Sequence, residues 1–224
     1  MKKSVLITGA SGNLGTAVLK KFTIENYHIY ATGLEDEELH GINIKAVDLT
    51  NEEETQQYVQ TITADQPDLR AAILLVGGFA MGNIAKTDGA ALQKMYKLNF
   101  ETAYFMVRAL LPFFEEKGGG QFVLIGTRPA FEAEAAKDLV AYGLSKSLVM
   151  YLSEIINAHG EDKGITSSVI VPSIIDTPEN RKAMSNADFS KWVQAEDIAD
   201  AIHFLLTDAG KNLRETVLKM YNEA

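Results

Sequence analysis

The stretch Thr8-Gly9-Ala10-Ser11-Gly12-Asn13-Leu14-Gly15 constrains this chain more than any other. It joins the apolar run Val5-Leu6-Ile7 to a helix-patterned segment over residues 13–25. A run apolar at every position reads as a parallel strand covered on both faces. Gly9 and Gly12 permit a tight turn with close backbone approach, and Gly15 lets the next helix pack against the strand. The first N–H groups of that helix have no intrahelical acceptor and lie at the positive end of its dipole, so the turn suits a pyrophosphate. Strand, glycine turn and helix follow in the order of a dinucleotide-binding βαβ unit within the first ~30 residues. A strand-to-helix turn that carries no ligand has the same local pattern.

The same alternation continues along the chain. Further strands are expected at 27–32, 43–47, 71–76, 121–126, 165–171 and 215–221. Helices are expected at 52–64, 88–97, 100–117, 139–158 and 195–207. Thr50 before Glu52, Glu53 and Glu54 makes a capped, acid-rich helix start, and Pro67 closes that unit. Gly118-Gly119-Gly120 stops another helix. Alternating strands and helices predict an α/β, Rossmann-like fold, a doubly wound parallel sheet in one domain spanning 1–224. The irregular stretch 172–192, beyond the carboxyl end of a late strand, is placed to cover a ligand.

Composition narrows the function. A net charge of -9 and a pI near 5.0 argue against a nucleic-acid or anionic-membrane partner. With no cysteine there is no disulfide, thiolate nucleophile or Cys-ligated metal, and His28, His40, His159 and His203 lack metal-ligand spacing. The first strand begins by Ser4, which leaves no room for a signal peptide, and no apolar run approaches the ~20 residues of a membrane span. A cytoplasmic protein is expected.

Tyr142 and Lys146 stand four residues apart in a helical stretch, hence on one face. An ordinary tyrosine titrates near about 10, and a neighbouring ammonium favours the phenolate. Such a phenol can exchange a proton with a substrate oxygen or nitrogen near neutral pH. The same spacing also occurs on ordinary helices without chemistry.

With these motifs in this order, the chain resembles the short-chain dehydrogenase/reductase family over nearly its whole length. The resemblance implies that residues 8–15 hold the cofactor through Gly9, Ser11, Gly12, Asn13, Leu14 and Gly15, and that Asp48-Leu49 contacts the adenine. It implies that Tyr142 donates the proton, Lys146 lowers its pKa and bonds the nicotinamide ribose, and Asn99 holds a relay water. Gly77, Gly78, Pro172 and Ile174 would also line the cofactor. Read locally, Asn99 is equally a cap or kink residue, and Asp48 a turn acid beside Thr50.

The chain departs from the family's pattern in several places. Asn13 stands where the common turn has its middle glycine, and Val76-Gly77-Gly78-Phe79 replaces the usual Asn-Asn-Ala-Gly. The catalytic serine is missing, with Thr127 nearest to its place. Two irregular segments are similar to the dihydropteridine reductases, a branch that also lacks this serine. One is Gly77-Gly78-Phe79-Ala80-Met81-Gly82-Asn83; the other is Asp176-Thr177-Pro178-Glu179-Asn180-Arg181-Lys182, followed by Ala187-Asp188-Phe189-Ser190-Lys191-Trp192. This implies reduction of a quinonoid dihydropterin. A reductase of another small carbonyl, with Thr127 in the serine's role, and a non-catalytic NAD(P) sensor are the alternatives.

The resemblance implies NAD(P)H as the cofactor. Glu35, followed by Asp36, Glu37 and Glu38, and the lack of Arg or Lys in the turn favour NADH, since acids repel a 2′-phosphate. The resemblance also implies a homodimer or homotetramer, paired through the helices at 100–117 and 139–158.

Overall fold

The computed structural model describes residues 2–66 and 68–223, so the expected unit-closing role of Pro67 lies outside the described residues. In chain order the elements are β1 (Ser4–Thr8), α1 (Asn13–Ile24), β2 (His28–Gly33), β3 (Glu37–Leu39), β4 (Ile42–Ala46), α2 (Glu52–Asp65) and β5 (Leu69–Leu74). Then come α3 (Gly89–Tyr96), α4 (Thr102–Glu116), β6 (Gly120–Ile125), α5 (Ala133–Ala136), α6 (Val140–Gly160) and β7 (Ile165–Pro172). The last are α7 (Pro178–Ala183), α8 (Ala195–Leu205) and β8 (Val217–Met220).

The strands form one sheet in the order β3-β4-β2-β1-β5-β6-β7-β8, parallel except for the β3–β4 pair. Strand order reverses at β1, which pairs with β2 on one side and β5 on the other. The crevice of such a sheet lies there, beyond the carboxyl ends of the strands. β1 is buried along its whole length and sends alternate residues to opposite layers. Leu6 packs with Val59 and Ile62 of α2, Met106 and Leu110 of α4 and Val149 of α6. Val5 and Ile7 pack with Val18 and Phe22 of α1 and Ile198 and Ile202 of α8.

Three differences from the sequence-based expectation have local causes. α2 is capped by Asn51, whose Oδ1 accepts from Glu53 N (3.0 Å) and Glu54 N (3.3 Å), and not by Thr50, which bonds back to Asp48. The acid run after β2 is not wholly a solvated loop: Glu37–Leu39 turns back on β4 through His40 and Gly41, both at positive φ (52° and 77°). Two left-handed residues make the hairpin turn that matches strand twist, and the glutamates charge an exposed sheet edge. The helices expected at 88–97 and 100–117 are joined by a π-helical turn, Lys97–Glu101, between α3 and α4. Its only buried residue is Asn99.

α6 is fixed against β7 by a polar seam. β8 covers β7 only from Val169 onward. At Ser167 the Asn157 side chain takes the place of a neighbouring strand, donating to Ser167 O (2.9 Å) and accepting from Ser167 N (2.8 Å). That bond pair sets how far α6 lies along the sheet, and so where Tyr142 and Lys146 stand.

Candidate active site

The glycine turn lies at the carboxyl end of β1 and is built around close approaches. Gly9 has φ +65°, and a Cβ there would meet Val76 Cγ2 at 3.2 Å and Val76 N at 3.3 Å. A Cβ on Gly15 would lie 2.0 Å from Gly9 O, so α1 sits directly on the turn. Gly12 is the N-cap of α1 and has no side chain to satisfy the first N–H groups, and the first turn carries no acid. The first N–H groups of α1 therefore have no side-chain acceptor at the cap, and Ser11, Gly12 and Asn13 beside them are exposed. Thr8 Oγ1 accepts from Leu75 N (3.1 Å), tying the ends of β1 and β5 together beside it.

On the other side of the crevice, α6 presents Tyr142 and Lys146. Lys146 is 5% exposed, and its Nζ donates to Ile125 O at 2.8 Å, the last residue of β6. Burial pushes its ammonium down to about 8. Burial also raises the Tyr142 phenol above its ordinary value, with only the Thr127 side chain acting the other way, so the lowering by Lys146 expected from the sequence is not what burial leaves here. Thr127, itself buried, follows β6 by two residues and so reaches Tyr142 from the sheet. Phe79 stands edge-on to Tyr142 with ring centroids 5.1 Å apart.

Asn99 joins the two sides. Its Oδ1 accepts from Gly78 N (2.8 Å), while its Nδ2 donates to Gly78 O (3.1 Å) and to Ser145 Oγ (2.9 Å). A π turn widens the helix by one residue, which suits a buried side chain aimed across it. Gly77 is equally constrained: a Cβ there would lie 2.7 Å from Asn99 Oδ1 and 3.2 Å from Lys146 Nζ. Tyr142, Lys146, Asn99, Thr127, Gly77 and Gly78 are thus brought together, next to the glycine turn.

The remaining candidates sit at the periphery. Asp48 Oδ1 accepts from Thr50 N (2.9 Å) and Thr50 Oγ1 (2.7 Å), an Asx turn that leads into α2. Leu49 is buried beneath it. Pro172 ends β7, and Ile174 O accepts from Val193 N (2.9 Å), so the stretch 172–192 leaves the sheet and returns alongside itself. It holds α7, opened by Pro178 and capped by Thr177 Oγ1, which accepts from Asn180 N (3.2 Å). Arg181 clamps Asp176 through two bonds of 2.5 and 2.7 Å, which holds that carboxyl down at about 2.

Sequence reasoning missed two contacts here. Ser145, between Tyr142 and Lys146, has a hydroxyl that bridges Asn99 to Tyr142 O (2.9 Å). Glu179 lies in the irregular segment after β7, and nothing local signals that its Oε2 takes a 2.6 Å bond from Asn13 Nδ2. Among the described residues, no group of three His, Asp or Glu is arranged to hold a metal ion, and no helix is long and apolar enough to cross a membrane.

The chain belongs to the short-chain dehydrogenase family, whose model matches residues 3–188. It is an oxidoreductase of that type. Dihydropteridine reductase of Dictyostelium discoideum is 26% identical over 207 residues, covering 90% of this chain and 87% of that one. An uncharacterized oxidoreductase of Staphylococcus haemolyticus is 25% identical over 226 residues, 96% of this chain and 95% of its own. Among solved structures, ElxO with NADP bound superposes with a TM-score of 0.88 at 23% identity, over 98% of this chain and 97% of that one. The ligand-free aldohexose dehydrogenase of Thermoplasma acidophilum has a TM-score of 0.88 at 19% identity, over 99% and 94%. At these identities the structural likeness establishes the fold.

Proposed function

We propose that this chain reduces a small oxidised substrate with a nicotinamide dinucleotide, that Tyr142 supplies the proton, and that the substrate is a quinonoid dihydropterin. The observation that carries the reading is the joining of two halves: an uncapped helix head with close-packed glycines, and a half-buried Tyr142 beside the buried Thr127, Lys146 and Asn99. The cradle fits a pyrophosphate, because Gly9 and Gly15 leave no room for side chains and the head of α1 carries no side-chain cap. Bound there, the reduced nicotinamide supplies a hydride.

The chain's own residues do the rest. Tyr142 O–H gives its proton to the substrate atom that gains charge, and Thr127, within hydrogen-bonding reach of Tyr142, orients the substrate. Lys146 offers a buried donor to a ribose hydroxyl and, when protonated, favours the phenolate that Tyr142 becomes. Asn99 keeps Gly77 and Gly78 against the site and holds a relay water. Gly9, Ser11, Gly12, Asn13, Leu14 and Gly15 hold the phosphates, with Asp48 and Leu49 near the adenine and Pro172 and Ile174 near the nicotinamide. The stretch 172–192 covers both ligands within a single domain.

The dihydropterin assignment draws on the Dictyostelium relative and on Phe79, 62% exposed beside Tyr142, as a face for a flat ring. The second reading is reduction of an ordinary carbonyl, in which Thr127, buried beside Tyr142, takes the role of the family's missing serine. NADH is favoured by the acids at 35–38; Lys45, the nearby cation, is paired with Asp36 at 2.8 Å. The exposed apolar row Leu144, Leu148, Tyr151 and Ile155 on α6, with Tyr104 on α4, supports a homodimer or homotetramer paired there.

The test follows oxidation of NADH and NADPH in parallel, with freshly generated quinonoid dihydropterin as acceptor. Turnover above the uncatalysed rate is expected, falling by about 10²–10⁴ in Tyr142→Phe with nucleotide binding retained. Turnover with neither nucleotide refutes the dihydropterin reading, and undiminished kcat in Tyr142→Phe refutes its role as proton donor.

A further inference from the structure

Glu179 is the second residue of α7, and its carboxylate bonds Asn13, the first residue of α1. The contact puts a negative charge at a helix head that has no acid of its own. α7 is braced in this position. Thr177 caps it, Asn180 Nδ2 donates to Ile175 O (2.8 Å), and Arg181 both clamps Asp176 and lies 4.9 Å over the Phe189 ring. Gln194 adds a third bond to Asp176 at 3.1 Å. Glu179 is therefore presented to Asn13 by a fixed element.

We propose that Glu179 sets the affinity of the cofactor site. Its carboxylate stands where the phosphates of a dinucleotide approach the head of α1, so binding breaks the Asn13–Glu179 bond and works against a fixed like charge. The inference rests on the dinucleotide reading of the glycine turn. Because it concerns the pyrophosphate, which NADH and NADPH share, Glu179 weakens both by the same factor. Glu35, by contrast, bears on the 2′ position and separates the two.

The experiment measures dissociation constants of NADH and NADPH by nucleotide fluorescence, with adenosine as a phosphate-free competitor. It compares the full chain, Glu179→Gln and Glu179→Ala at low and at physiological salt. Glu179→Gln is expected to bind both nucleotides about five- to tenfold tighter, the effect of removing one like charge a few ångströms from a phosphate in solvated surroundings. The gap narrows as salt is raised, and adenosine affinity stays the same. Equal or weaker nucleotide binding by Glu179→Gln overturns the inference, as does a salt-independent gain shared by adenosine, which marks a relaxed loop. If none of the three proteins binds either nucleotide, the inference falls together with the assignment of the turn; equal binding by all three removes Glu179's role alone.

Discussion

Replacing Gly15 with alanine tests the closest backbone approach at any glycine among the described residues. The added Cβ would lie 2.0 Å from Gly9 O and 2.8 Å from Cα and C of Ala10, all backbone atoms that cannot swing aside. Real Cβ contacts essentially never fall below 3.0 Å, so α1 must retreat from β1 by something like an ångström. Overpacking of this kind costs about 1–3 kcal/mol, and each kcal/mol lowers Tm by about 2–4 °C in a chain of this size. The retreat also carries the α1 N–H groups away from the turn, so nucleotide affinity falls together with stability. Gly89→Ala is the control: nothing lies within 4 Å of its added Cβ, at the first residue of α3. Thermal unfolding and nucleotide titration of both variants are the assays. A Gly15→Ala protein with unchanged Tm and nucleotide affinity would refute the argument from close packing.

Two predictions concern pH. Lys146 is held at about 8 by burial, below its ordinary 10.5, so between these values the unfolded chain binds the proton and the folded chain does not. Its contribution to stability therefore rises as pH climbs from about 8 to 10.5, and urea unfolding should show that rise reduced in Lys146→Met relative to the parent. Asp176 is shifted the other way, to about 2 from 3.8, by Arg181 and Gln194. The bracing of α7 is complete above 3.8 and is lost as pH falls through about 2. Trp192, the only tryptophan and 3% exposed beside Phe189, should report the loosening by its fluorescence. Arg181→Ala should show the loosened signal already at neutral pH.

Sequence alone determined the elements whose geometry is local. The run Val5-Leu6-Ile7 is apolar at every position because β1 is covered on both faces, and the glycines after it leave the turn no other use of space. Tyr142 and Lys146 share a face because helical periodicity puts them there. Alternation of such segments was sufficient for the doubly wound sheet, since parallel strands need crossovers of one hand. β3 is not legible in the sequence because its glutamates carry no hydrophobic pattern; it exists through the His40-Gly41 turn and its pairing with β4.

Only the tertiary structure decided which side chains meet. Thr127 reaches Tyr142 because β6 ends beside α6, and Asn99 reaches Gly78 and Ser145 because a π turn directs it across the helix. Glu179 reaches Asn13 across 166 positions of sequence. Local patterns record hydrogen-bond periodicity and sterics within a few residues. Contacts between elements follow instead from strand register and from how far each helix slides along the sheet, which here depends on contacts such as Asn157 with Ser167.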